Sequence, residues 1–147
     1  LLQPSPLKDI VFNPKESLSF TGNTGPYIQY TGARISSMLR KLQGIPELKD
    51  RTGKPDFLTE SMEWELIKLL SDFPFQVEQA ALSYNPPLVA NYLYEVSRNF
   101  SRYYHEHPIL FHENKDVSAA RVRLSRCVHQ VLKNGMYLLN IPFLDVM

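Results

Sequence analysis

The chain has 147 residues, 44% hydrophobic and 21% charged, the balance of an ordinary globular domain with a sizeable core. Sixteen Lys and Arg against fifteen Asp and Glu leave a net charge of +1, which excludes any argument for a nucleic-acid partner from total charge and leaves only charge distribution. No apolar run approaches the ~18 residues of a membrane span, and the single Cys127 excludes an internal disulfide or a multi-Cys zinc site and fits a reducing compartment.

The sequence opens without Met on "LLQPSPLKD" and no basic start leads into an apolar leader, so it reads as a piece of a longer protein. Met147 reads as a natural end. Pro4, Pro6 and Pro14 deny backbone donors and fix φ, so residues 1–24 form an irregular lead-in in which "DIVFNPKESLSF" holds short extended pieces at most. The first helix spans about 25–43. Thr24 is its N-cap, Pro26 sits where helix amides lack partners, and Gly44 and Pro46 stop it. Its apolar positions run Tyr27, Ile28, Tyr30, Ile35, Met38, Leu39 and Leu42. A second helix runs about 59–72 from a Thr59 N-cap, with Met62, Leu66, Leu69 and Leu70, and Trp64 alongside, on its apolar side. After Pro74 a shorter third reaches about Tyr84. "NPP" at 85–87 opens the fourth, about 87–106, and the fifth covers about 117–139. The fold class is all-α: one helical bundle of about five helices over residues 25–147, in a single domain.

At 100° per residue the fifth helix places Leu124, Val128, Val131, Leu132, Leu138 and Leu139 on one side. Arg123, Arg126, His129 and Lys133 lie on the other, and no acidic residue falls between Arg121 and Leu139. By pattern alone this is a solvated face. The alternative is a strip that meets phosphates. Cys127, among apolar positions of this helix, reads as buried and inert.

Catalytic chemistry is thin. His105, His107 and His112 lack chelating spacing and read as surface residues, and "TGNTG" lacks the Lys-Ser/Thr of a phosphate loop. Glu63 and Glu65 read as solvated carboxylates. No nucleophile–base pair, metal site or cofactor site stands out. What remains is aromatic and basic: Tyr27, Tyr30, Tyr103 and Tyr104 beside Arg34, Arg40, Lys41 and Arg102. Unstacked bases in RNA loops suit such a surface, and tyrosines are also ordinary core-edge residues.

"SFTGNTGPYIQYTGARISSMLRK" resembles the segment that enters the C-terminal domain of class I arginyl-tRNA synthetases, Ser-Phe-x-Gly-Asp/Asn-Thr-Gly-Pro-Tyr-x-Gln-Tyr followed by a basic helix. "NPPLVANYLYEVSRNFSRYYHEHPIL", "AARVRLSRCVHQVLKNGMYLLNI" and the terminal Met resemble three further segments of that family in order. The resemblance, which covers nearly all of the chain from Asn13, implies a DALR-type anticodon-binding domain that is part of a longer, cytoplasmic and monomeric synthetase. The parent enzyme would join L-arginine to tRNA(Arg) with ATP and Mg2+. This chain would bind the anticodon loop with no cofactor of its own, no catalysis, no DNA and no membrane.

Carried over residue by residue, the family's RNA-facing positions fall on Tyr27 or Tyr30, Tyr104 and Met147. Arg34, Arg126 and Lys133 are the accompanying cations. The i, i+3 tyrosines turn the same way, with Tyr30 expected to be the more buried and Tyr27 the more exposed. Asn23 stands where the family usually has an acidic residue, and "LDVM" lacks the arginine of its common acidic-Arg-Met ending. From a different class, a helical protein-interaction module with the tyrosine stripe as interface is the alternative.

Overall fold

The computed structural model describes residues 13–17, 19, 22–49 and 51–147, and every regular element among them is helical. In chain order these are α1 (Pro14–Ser17), α2 (Gly25–Lys41), α3 (Pro46–Lys49), α4 (Ser61–Ser71), α5 (Phe73–Leu82), α6 (Pro87–Glu106) and α7 (Lys115–Leu138), with 3-10 turns at Leu42–Gly44 and Pro55–Phe57. The five helices read from the sequence are α2, α4, α5, α6 and α7. α1 and α3 are single turns that pattern alone does not reveal. Most of the lead-in lies outside the described residues. Its described stretch Pro14–Ser17 is a helical turn, not an extended piece.

Local chemistry sets the helix starts. Thr24 is extended at φ −129° and its Oγ1 accepts from the Tyr27 amide at 3.3 Å, the N-cap read from the sequence. The second start is corrected. α4 begins at Ser61 and its cap is Glu60, not Thr59, because Glu60 and Glu63 form a reciprocal capping box in which Glu63 Oε2 accepts from the Glu60 amide at 3.0 Å. Asn114 caps α7 through its side chain, which accepts from the Asp116 amide at 2.9 Å.

The core gathers where α6 and α7 cross α2 and α4. Ile35, Leu66, Leu93, Val96, Phe100, Tyr103, Val128, Leu132 and Met136 are essentially sealed from water. The α6–α7 approach is close at Gly135, where a Cβ would stand 2.5 Å from Leu93 Cδ2.

Several burial expectations are overturned. Trp64, read on the apolar side of the second helix, is 50% exposed. Cys127 is exposed: it precedes Val128 by one residue and is therefore rotated about 100° out of the buried stripe. Leu138 is also exposed, in the last turn of α7. Glu63 is not a solvated carboxylate but is fully buried. Its Oε1 accepts from Arg121 Nε at 2.7 Å and from the Tyr103 hydroxyl at 3.1 Å, while Arg121 Nη1 donates to the Pro108 carbonyl at 3.1 Å. Burial, and after it the Glu63 carboxylate, holds the Tyr103 phenol far above its ordinary pKa, so it remains a donor.

Candidate nucleic-acid interface

The buried Glu63 cluster decides which way the aromatic pair of α6 faces. Tyr103 is pinned inward by its hydrogen bond to Glu63. Its neighbour Tyr104, about 100° further round the helix, therefore faces outward, half-buried, with its ring 6.0 Å from that of Phe100. Across from it stands α2. Tyr30 and Arg34 are four residues apart and so occupy one face of that helix.

Arg34 joins the two helices. Its Cζ lies 4.7 Å from the centroid of the Tyr30 ring and 5.5 Å from that of Tyr104, both within cation–π reach. The guanidinium lowers the Tyr30 phenol pKa, first by hydrogen bonding and then by its charge. Three residues picked from the sequence, Tyr30, Arg34 and Tyr104, thus form one partly exposed aromatic–cationic surface. A delocalised cation near two aromatic rings is compatible with a stacked base on the same surface, because each component accepts flat partners.

The order expected for the tyrosine pair is reversed. Tyr30 is 40% exposed and Tyr27 is half-buried. An i, i+3 step rotates a side chain about 60°, enough to turn Tyr27 onto α6, where it meets Tyr94 at 5.6 Å and 56°. Tyr27 is thus a packing residue at the α2–α6 contact.

Arg126 and Lys133 are exposed on α7, and among the described residues neither is ion-paired. They flank His129 by about one turn on either side. Arg102 is engaged with Glu106 at 3.1 Å, so it is a weaker candidate for an incoming phosphate. Met147 is 52% exposed, two residues beyond Asp145, which accepts from Ser36 and Arg40 on α2.

Sequence reasoning missed Gln29, Gly32, Ser36 and Asp145, which seat the end of the chain on α2. The signal present was the spacing of Gln29, Gly32, Ser36 and Arg40, which marks one stripe of that helix. A separate apolar cleft, lined by Val77, Ala80, Val89 and Leu139, has no charged lining and lies apart from this surface. Among the described residues no cluster of His, Cys, Asp or Glu could hold a metal ion, and no helix is long and apolar enough to cross a membrane.

Residues 28–147 match the family model described as the DALR anticodon binding domain. Over 150 residues the chain is 55% identical to an arginine–tRNA ligase of Treponema denticola, a match covering 100% of this chain and 25% of the relative. Over 147 residues it is 45% identical to the arginine–tRNA ligase of Borrelia duttonii, again covering 100% of this chain and 25% of the relative. Among solved structures, the arginyl-tRNA synthetase of Thermus thermophilus superposes with a TM-score of 0.85 at 33% identity, covering 97% of this chain and 24% of that one. The chain thus spans about a quarter of the length of the relatives it matches.

Proposed function

The chain belongs to the DALR anticodon-binding domain family, and from that premise we propose that all 147 residues form the domain with which an arginine–tRNA ligase grips the anticodon stem-loop of tRNA(Arg). The parent protein would join arginine to that tRNA using ATP and Mg2+. This chain supplies recognition and no catalytic group. The observation that carries the reading is the Arg34 guanidinium within cation–π reach of both the Tyr30 and the Tyr104 rings.

An unstacked anticodon base lies on the Tyr30–Arg34–Tyr104 surface, since a π face is sequence-tolerant and contributes about 1–3 kcal/mol per base. Arg34 stacks or pairs with phosphate as the base arrives, because a guanidinium serves both. Arg126 and Lys133 on α7 and Arg40 on α2 are exposed and available to backbone phosphates. Met147, half-exposed and deformable, excludes water beside a base.

The test is titration of the chain with an arginine-tRNA anticodon stem-loop over a salt series. Affinity should fall steeply with salt through counterion release. A flat salt response would instead favour an apolar protein interface. Tyr104→Ala should cost about 1–3 kcal/mol of stem-loop binding and blunt discrimination between cognate and anticodon-swapped loops. If it instead unfolds the chain and leaves affinity per folded molecule unchanged, the Tyr104 ring is core.

A further inference from the structure

The last seven residues are seated on the bundle. Gln29 Nε2 donates to the Pro142 carbonyl at 3.1 Å, Arg40 Nη1 to the Asp145 carbonyl at 2.9 Å, and Ser36 Oγ to Asp145 Oδ1 at 2.9 Å. With Gly32, the three donors line one stripe of α2, spaced three, four and four residues apart. Between the polar contacts sits Phe143. A Cβ on Gly32 would stand 2.7 Å from its Cε2, so the ring rests against the bare glycine and a side chain there would push its tip back. Its other neighbour is His129 of α7, met edge-on at 4.8 Å between ring centroids.

The polar contacts form a directed chain. His129 Nε2 is 2.9 Å from Ser36 Oγ. A hydroxyl has one proton, and Ser36 gives it to the Asp145 carboxylate, which can only accept. His129 must therefore donate through Nε2–H. The order runs His129 on α7, Ser36 on α2, Asp145 in the tail, so one buried serine ties three segments together. Beyond Asp145 the side chains turn outward: Val146 is 74% and Met147 52% exposed.

We propose that residues 141–147 are a latched strap, and that Ser36 and Gly32 are positioning residues that fix where Val146 and Met147 stand for RNA. The second half of this rests on the RNA reading above. The physical rationale is pre-organisation. An unseated heptapeptide would have to be ordered when RNA arrives, and that entropy would be subtracted from affinity. A strap already held by three side-chain hydrogen bonds from α2 and one ring loses little further freedom on binding. Arg40 is shared: one guanidinium nitrogen holds the strap carbonyl, and the charge stays at the exposed edge.

The experiment measures two things on the 147-residue chain: the rate at which carboxypeptidase releases Met147 and Val146, followed by mass spectrometry, and affinity for a labelled arginine-tRNA anticodon stem-loop. Gly32→Ala is the informative variant. Alanine is the better helix former, so α2 is retained while the tip of the Phe143 ring must shift away from it. Ser36→Ala cuts the polar chain. Ser36→Ala should speed release about tenfold, the size expected for losing one hydrogen bond to a charged group, and Gly32→Ala should speed it measurably through the disturbed Phe143 packing. Both should also weaken stem-loop binding to within about twofold of a chain lacking residues 146–147. Asp145→Asn, which keeps an acceptor for Ser36, should speed release less than about threefold.

Unchanged release in Gly32→Ala and Ser36→Ala would show that the strap is not latched. Faster release with unaltered stem-loop affinity would overturn the positioning role. Failure of the unmodified chain to bind the stem-loop, with release behaving as expected, would overturn the RNA reading and support the latch.

Discussion

Replacing Arg121 by Met should be the most damaging conservative change outside the apolar core. Arg121 is 4% exposed and Glu63 0%. Arg121 Nε meets Glu63 Oε1 at 2.7 Å, the same oxygen that accepts from the Tyr103 hydroxyl. Met keeps most of the volume and leaves the Glu63 carboxylate buried without its cation. Breaking a buried pair from one side costs about 3–5 kcal/mol. Chains of this kind have about 5–15 kcal/mol in total, so from about a fifth to all of the stability is removed. At about 2–4 °C per kcal/mol for this size, melting should fall by about 6–20 °C. Far-UV circular dichroism against temperature and urea measures it. The companion variant, Glu63→Met with Arg121→Met and Tyr103→Phe, removes every side-chain polar tip of the cluster together and leaves the carbonyl of exposed Pro108 to water. It should recover to within about 1 kcal/mol of the parent or exceed it, since well-packed apolar replacements of buried pairs are often neutral or stabilising. The Glu60 amide it frees lies at an exposed helix start and can turn to water. If Arg121→Met alone lies within about 1 kcal/mol of the parent, the pair is not dry and the reasoning fails.

Arg126→Ala and Lys133→Ala should each weaken all stem-loops alike and lower the salt slope by about one, read from affinities between low and moderate salt; unchanged slopes would return that face to plain solvation. Leu132→Ala, at a fully buried position, should cost about 2–5 kcal/mol of stability with stem-loop affinity per folded molecule retained. This is the opposite of the pattern expected for Tyr104→Ala. His129 is held below its ordinary pKa first by burial, with Lys133 adding to the effect and Asp145 opposing it. The unfolded chain therefore binds the proton more readily, so His129's contribution is complete above about pH 6.5 and is lost as pH falls from there through its folded pKa. Unfolding free energy measured across that window should decline on acidification, and His129→Gln should remove that part of the slope.

The long helices were legible because their signals are local. Thr24 and Pro26 mark the start of α2, "NPP" the start of α6, and the stripe through Val128 and Leu132 the inner face of α7. The errors cluster where a residue's fate depends on a distant partner. Glu63 and Glu65 look alike in a sequence window. Only the arrival of Arg121 from 58 residues away, and of Tyr103 from 40, makes one of them core. Cys127 failed differently: apolar neighbours along the chain are not neighbours around a helix.

The surface was legible in part for a related reason. Composition and spacing pick out Tyr30, Arg34 and Tyr104 as candidates, but their convergence depends on the 70 residues and three intervening helices, α3, α4 and α5, that separate Arg34 from Tyr104. The sense of the tyrosine pair was read wrongly because periodicity assigns a face relative to a helix axis, not relative to its neighbours. Tyr27 and Tyr30 differ by only about 60°. Which of them is covered is settled by Tyr94, whose ring stands where Tyr27 points. Tyr104 is placed by the same logic one residue along. With the hydroxyl of Tyr103 committed to Glu63, the rotation of α6 is set, and an outward Tyr104 follows. The partly exposed aromatic surface is therefore coupled to the buried ion pair through α6, whose buried stripe of Val89, Leu93, Val96 and Phe100 sets the same rotation. That links the two halves of the molecule: a substitution at Arg121 or Glu63, neither of which is exposed, should disturb the placement of Tyr104 before the bundle unfolds.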